Sequence, residues 1–215
     1  MLKSSTVIVL GTAHRMREPG KESPDKRLKE CVYSREICQE VAAKLKAAGY
    51  KVEIDYEPLD LEKHLQSSNY IQERNRELNI RVNYVNEICR QKGAKNVLYV
   101  SIHVNAIGSD GKWHTANGWQ VCVSNKASEN SEKLANCLAH AAEQNHLKVR
   151  KPSPFQAYWP QKLYVLNNTK CPAVLTENLF QDNKSDVDFL LSDVGRHAIA
   201  RLHVEGIMNY IKLNG

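Results

Sequence analysis

Short apolar runs alternate with longer amphipathic segments along most of the chain, and this alternation limits the fold more than any other feature. The runs are Thr6-Val-Ile-Val-Leu10, Lys51-Val-Glu-Ile-Asp-Tyr56, Asn96-Val-Leu-Tyr-Val-Ser-Ile102, Gly118-Trp-Gln-Val-Cys-Val123, Leu163-Tyr-Val-Leu166 and Pro172-Ala-Val-Leu-Thr176. Each has the length and β-branched content of a strand. Between them, the stretch from Glu30 to Ala48 places Val32, Ile37, Val41 and Leu45 near helical spacing, and Gly49 supplies a stop. A second helix is expected from Tyr70 to Lys92 on the stripe Ile71, Leu78, Val82, Val85 and Ile88, ending at Gly93. Two more are expected, over Ser128–Asn145 and Val194–Ile211. A polar linker runs from the second strand to Ser68, and Pro152, Pro154 and Pro160 mark residues 148–162 as a loop. Strands alternating with helices predict an α/β fold, with a mixed, largely parallel sheet of about six strands flanked by helices.

The chain has 215 residues, enough for one large domain, and neither an internal repeat nor a second-domain boundary is visible. No apolar run approaches the roughly 20 residues of a membrane-spanning helix, so no membrane insertion is expected. Thirty Lys and Arg against 24 Asp and Glu give a net charge of +6. That excess favours anionic partners, but the basic residues are scattered and no basic tail marks a nucleic-acid binder. The six cysteines stand far apart without a CxxC pair, so free thiols are expected. The run after Lys3 is shorter than a signal-peptide core, and no signal peptide is visible.

Open α/β sheets bind ligands beyond the carboxyl ends of their strands. Three of those ends carry ionisable residues: His14 follows the first strand, His103 follows Ile102 at once, and Glu177 follows Thr176 at once. Glu30 opens the first helix, after the loop that begins at His14. Two His and a Glu suit a catalytic zinc with a position open to water, and a separate carboxylate can act as base. Glu36 is a competing carboxylate, but six residues along a helix turns it away from Glu30. His64, His114, His140, His146, His197 and His203 have no comparable placement. Trp113, Trp119, Tyr158 and Trp159 fall on rim loops or strand starts, where aromatic rings can stack on a sugar or fill the core.

Ser101-Ile-His-Val-Asn-Ala106 is similar to the Ser-Ile-His-Ala-Asn-Ala of the zinc-dependent N-acetylmuramoyl-L-alanine amidases, which include bacterial cell-wall amidases and phage endolysins. Arg81-Val-Asn-Tyr-Val-Asn86 resembles the helix that precedes it in that family. The segment from Leu163 to Phe180 resembles the family's Tyr-Val-Leu and Pro-Ala-Val-Leu stretches followed by a catalytic Glu. The resemblance spans about Thr6 to Ile211 and implies a single catalytic domain over residues 1–215. It implies that His14, Glu30 and His103 hold Zn2+, that Glu177 is the general acid/base, and that the substrate is peptidoglycan. Two departures stand out: Gly11-Thr-Ala-His14-Arg15 replaces the family's Asp-Pro-Gly-His-Gly, and Ser34 takes the place of an Asn often found four residues after the ligand Glu. Two other readings of the same residues remain: a zinc carboxypeptidase-like peptidase, and a non-catalytic wall-binding module. Synthesis in the cytoplasm and action on the bacterial wall or periplasm are expected. The lack of a recognisable wall-binding repeat or signal leans toward a lysin.

Overall fold

The computed structural model describes residues 5–55 and 69–214. Six strands form one sheet: β1 (Val7–Thr12), β2 (Lys51–Ile54), β3 (Val97–Asn105), β4 (Gln120–Ser124), β5 (Trp159–Gln161) and β6 (Ala173–Phe180). Their order is β2-β1-β3-β6-β4-β5. All neighbours run parallel except β4 and β6, which are antiparallel. The expected class and strand number hold. The linker up to Ser68 and the end of the second expected strand at Tyr56 lie outside the described residues.

The helices are α1 (Glu30–Ala47), α2 (Tyr70–Lys92), α3 (Glu129–Gln144), α4 (Tyr164–Asn168), α5 (Lys184–Leu191) and α6 (Asp193–Leu213). Local chemistry sets several of their ends. Asn69 caps α2 by accepting from the Gln72 N–H at 3.1 Å, and Ser128 and Ser192 cap α3 and α6 in the same way. Gly93 ends α2 at φ 82°, where a side chain would be strained.

Strand side chains alternate between faces, and each face has its own helical cover. Ile8, Leu10, Leu98, Val100, Ile102 and Val174 pack with α1, α3 and α6. Val7, Val9, Tyr99, Ala173 and Leu175 pack with Val82 and Val85 of α2 and Val165 and Leu166 of α4. Ser101, His103 and Glu177 continue the second set past the end of its apolar cover. The sheet thus delivers them to an opening at the carboxyl ends of β3 and β6.

Two expectations are corrected. Leu163-Tyr-Val-Leu166 does not form a strand: Tyr164–Asn168 is a helical turn, and the strand at that edge is β5, just before it. Val165 and Leu166 are adjacent and both buried, which one turn of helix against a sheet permits and period-two alternation does not. Helix α5 was not anticipated, although Asn183 caps it by accepting from the Asp186 N–H at 3.1 Å. No helix among the described residues is long and apolar enough to cross a membrane.

Candidate functional site

His14 sits two residues beyond β1, in left-handed backbone at φ 46° that a non-glycine residue adopts at a cost. A buried polar network fixes it there. Arg81 Nη2 donates to the His14 carbonyl at 3.2 Å, Nη1 pairs with Asp55 Oδ1 at 2.6 Å, and Nε donates to Glu77 at 2.8 Å. Asp55 also accepts from the Thr12 N–H at 2.9 Å and from the Tyr99 hydroxyl at 3.1 Å. Burial alone would lower the Arg81 pKa, but Asp55 and Glu77 reverse that and raise it. Gly11 makes the Tyr99 contact possible, because a β-carbon there would overlap the Tyr99 hydroxyl.

The first turn of α1 carries Glu30 to the same point. Glu30 Oε1 accepts from the Val104 N–H at 3.2 Å and faces His103 Nδ1 at 3.0 Å. Its other oxygen lies 3.3 Å from His14 Nε2 and 3.8 Å from Lys21 Nζ, and accepts no hydrogen bond. The two imidazoles meet edge to face, with centroids 5.1 Å apart. One ligand atom from each of His14, Glu30 and His103 lies within 4.8 Å of the others. Burial would raise the Glu30 pKa, but the two histidines outweigh it and hold the carboxyl well below the usual range. Burial pushes His103 down to about 4 against the opposing pull of Glu30, which leaves a neutral imidazole with a lone pair to offer. Its Nε2 lies 3.1 Å from Ser101 Oγ, which steadies the ring from the other side. Two imidazole nitrogens and an ionised, under-satisfied carboxylate oxygen form a donor set that fits a borderline cation such as zinc.

Ser34, one turn along α1, accepts from the Ala13 N–H at 2.9 Å and donates to the Ile102 carbonyl at 2.6 Å. It therefore bridges the residues that immediately precede the two histidines. This role was not legible in the sequence, where Ser34 registered only as a departure from the family pattern.

Glu177 stands directly across the β3–β6 ladder from His103 and across the β4–β6 ladder from Gln120. One of its carboxylate oxygens is buried and without a hydrogen bond. Burial, reinforced by repulsion from Glu30 and partly offset by Lys21, raises it to about 8. Asn178 braces this corner: its amide donates to the His103 carbonyl at 2.8 Å and accepts from Trp119 Nε1 at 2.8 Å. Nothing in the spacing singled out Asn178, Arg81 or Asp55 for these tasks.

The remaining sequence candidates lie elsewhere. Glu36 pairs with Arg196, His114 with Asp110 and His197 with Glu40. His203 is buried between Thr176 Oγ1 at 2.9 Å and the Ile199 carbonyl at 2.7 Å. Trp119 is a core residue, Trp159 and Tyr158 are half-buried, and Trp113 is exposed. All six cysteines are free thiols.

The family model described as N-acetylmuramoyl-L-alanine amidase matches residues 8–209. An endolysin of Bacillus phage SPP1 is 31% identical over 124 residues, covering 58% of this chain and 44% of that protein. A protein of Staphylococcus saprophyticus subsp. saprophyticus, described as "probable cell wall amidase LytH", is 27% identical over 210 residues, 97% of this chain and 59% of its own length. The chain thus spans about half the length of these curated relatives. A crystal structure of an N-acetylmuramoyl-L-alanine amidase from Clostridium difficile 630 has the same fold at 20% identity and a TM-score of 0.74, over 99% of this chain and 100% of that one. With residues 8–209 matched to its model, the chain belongs to the N-acetylmuramoyl-L-alanine amidase family.

Proposed function

We propose that this chain hydrolyses the amide between the lactyl group of N-acetylmuramic acid and L-alanine in peptidoglycan, with zinc held by His14, Glu30 and His103. The observation that carries the reading is the convergence of these three donors within 4.8 Å, with the Glu177 carboxyl beside them but outside the donor set. Zinc, when bound, supplies a Lewis acid that polarises the lactyl carbonyl and makes water more acidic. His103 presents Nδ1 toward Glu30, Ser101 holds the opposite nitrogen, and Arg81 and Ser34 fix the backbone on which both histidines stand. Glu177 takes a proton from the attacking water and passes it to the nitrogen of the departing L-alanine. The bond broken is the amide C–N, and the products are a lactyl carboxylate and a free amine. The positive charge of the chain favours its recruitment to anionic wall material.

Two features favour this reading over a carboxypeptidase-like peptidase or a wall-binding module. The family match runs over most of the chain, and all four chemical residues stand at one opening. Mass analysis of purified muropeptides after digestion is the test. Stem peptides with a free L-alanine amine, formed only without chelator, are expected. A new peptide carboxyl terminus would assign a peptidase, and intact muropeptides would remove the catalytic reading.

A further inference from the structure

A cleft of about 340 Å³ opens beside His14 and His103, between α2 and the turn that joins β5 to α4. Its wall is apolar, from Leu78, Leu163, Val165 and Leu175, and its rim carries two cations, Arg74 from α2 and Lys162 from the end of β5. Both are exposed, and neither forms an ion pair with an acid among the described residues. The carboxylate that also lines the cleft, Glu77, is already held by Arg81 at 2.8 Å. The uncompensated charge facing the cleft is therefore positive, and it comes from two separate elements that line one opening.

This bears on the substrate, and it rests on the amidase reading above. On the amine side of the scissile bond, L-alanine is followed by a glutamate linked through its side chain. The α-carboxyl of that glutamate is either free or amidated. A free carboxylate a few bonds from the cleaved amide matches two cations that line the same cleft as the two histidines, and the peptide's aliphatic atoms match the apolar wall.

We propose that Arg74 and Lys162 form a carboxylate subsite that selects stem peptides whose glutamate keeps its free α-carboxyl over those in which it is amidated. Both cations act on binding and neither touches the reacting atoms, so the preference resides in KM.

The test uses two soluble substrates, N-acetylmuramoyl-L-alanyl-D-glutamic acid and N-acetylmuramoyl-L-alanyl-D-isoglutamine, each with its γ-carboxyl blocked as a methylamide to mimic the side-chain link, with the zinc-loaded full chain. The two differ by one charge at nearly constant shape. Wild type should favour the acid by about tenfold in kcat/KM, the scale of one charge-assisted hydrogen-bonded contact. The Arg74→Gln/Lys162→Gln variant, with thermal unfolding like wild type, should bring the ratio near one. Arg74→Lys with Lys162→Arg should restore most of it, and added salt should shrink the wild-type preference. Equal kcat/KM for the two substrates in wild type, or a preference that survives in the Gln variant, overturns the subsite and leaves the amidase reading standing. Cleavage of neither substrate overturns the amidase reading and the subsite with it.

Discussion

His103 and Glu177 are direct partners across the parallel β3–β6 ladder, so one rung of the sheet presents an imidazole that faces Glu30 and a carboxyl with one buried oxygen that accepts no hydrogen bond. Parallel register puts both side chains on the same face, side by side at strand spacing. The separation of metal-holding and proton-moving work proposed here follows from that adjacency.

Replacing His14, Glu30 or His103 with Ala should lower zinc content and abolish turnover together, because a three-ligand site has none to spare. Glu177→Gln should keep zinc and fold while losing about 10²-fold to 10⁴-fold in kcat. Glu36→Ala is the control, since Glu36 pairs with Arg196 away from the opening. Metal analysis beside muropeptide turnover decides: a Glu177→Gln protein that loses its zinc would be a ligand variant.

Glu177 holds its proton up to about 8 because it is buried and faces Glu30. A divalent cation at His14, Glu30 and His103 adds nearby positive charge, so zinc should shift the Glu177 titration downward. Carboxyl signals of isotope-labelled glutamate, followed against pH with and without zinc, read this directly. The sign for zinc-free stability follows. A carboxyl raised from about 4.5 favours the folded state fully below that pH, and this contribution is lost as pH rises toward about 8. Zinc-free wild type should therefore lose stability relative to Glu177→Gln across that window, and parallel urea-denaturation curves at pH 5 and 8 would contradict it.

Ser34→Ala removes both bonds of the bridge between Ala13 and Ile102, leaving the buried Ala13 N–H without its side-chain acceptor. A loss of about 1–3 kcal/mol in unfolding free energy is expected. Zinc affinity should fall as well, because both histidines sit one residue beyond the broken contacts. Competition with a chromophoric chelator measures the second effect. A variant with unchanged affinity would make Ser34 purely a packing residue.

His203 is buried neutral, with Nδ1 facing the Ile199 carbonyl and Nε2 facing Thr176. Burial lowers it to about 4, against the hydrogen bond to Ile199. A histidine depressed from about 6.5 gives stability that is complete above that pH and is lost as pH falls toward about 4. The loss has an upper slope of about 1.4 kcal/mol per pH unit. His103 and Glu30 titrate in the same direction, so the difference between wild type and His203→Gln isolates the effect. Chemical denaturation from pH 7 to pH 4 should show a shallower decline in the variant.

Periodicity alone was enough for the strands that build the site. Alternation along Val97–Asn105 puts Tyr99, Ser101 and His103 on one face and Leu98, Val100 and Ile102 on the other, and the apolar stripe of α2 and its glycine stop are equally local. His14 and Glu30 were legible because a strand end and a helix start are themselves local features; His103 and Glu177, expected just past their strands, instead lie inside β3 and β6, which run on to Asn105 and Phe180. Tertiary structure alone decided that Ser34 would tie the backbone behind both histidines and that Arg81, paired with Asp55, would reach the His14 carbonyl. The same holds for Leu163-Tyr-Val-Leu166, a β-like run that became a helical turn because the sheet edge was already taken by β5 and two adjacent apolar side chains had to be buried against its face. A side chain's face follows from the period of its own segment. Which distant backbone group it meets follows from how helices settle on the sheet, and that is set by packing across dozens of intervening residues.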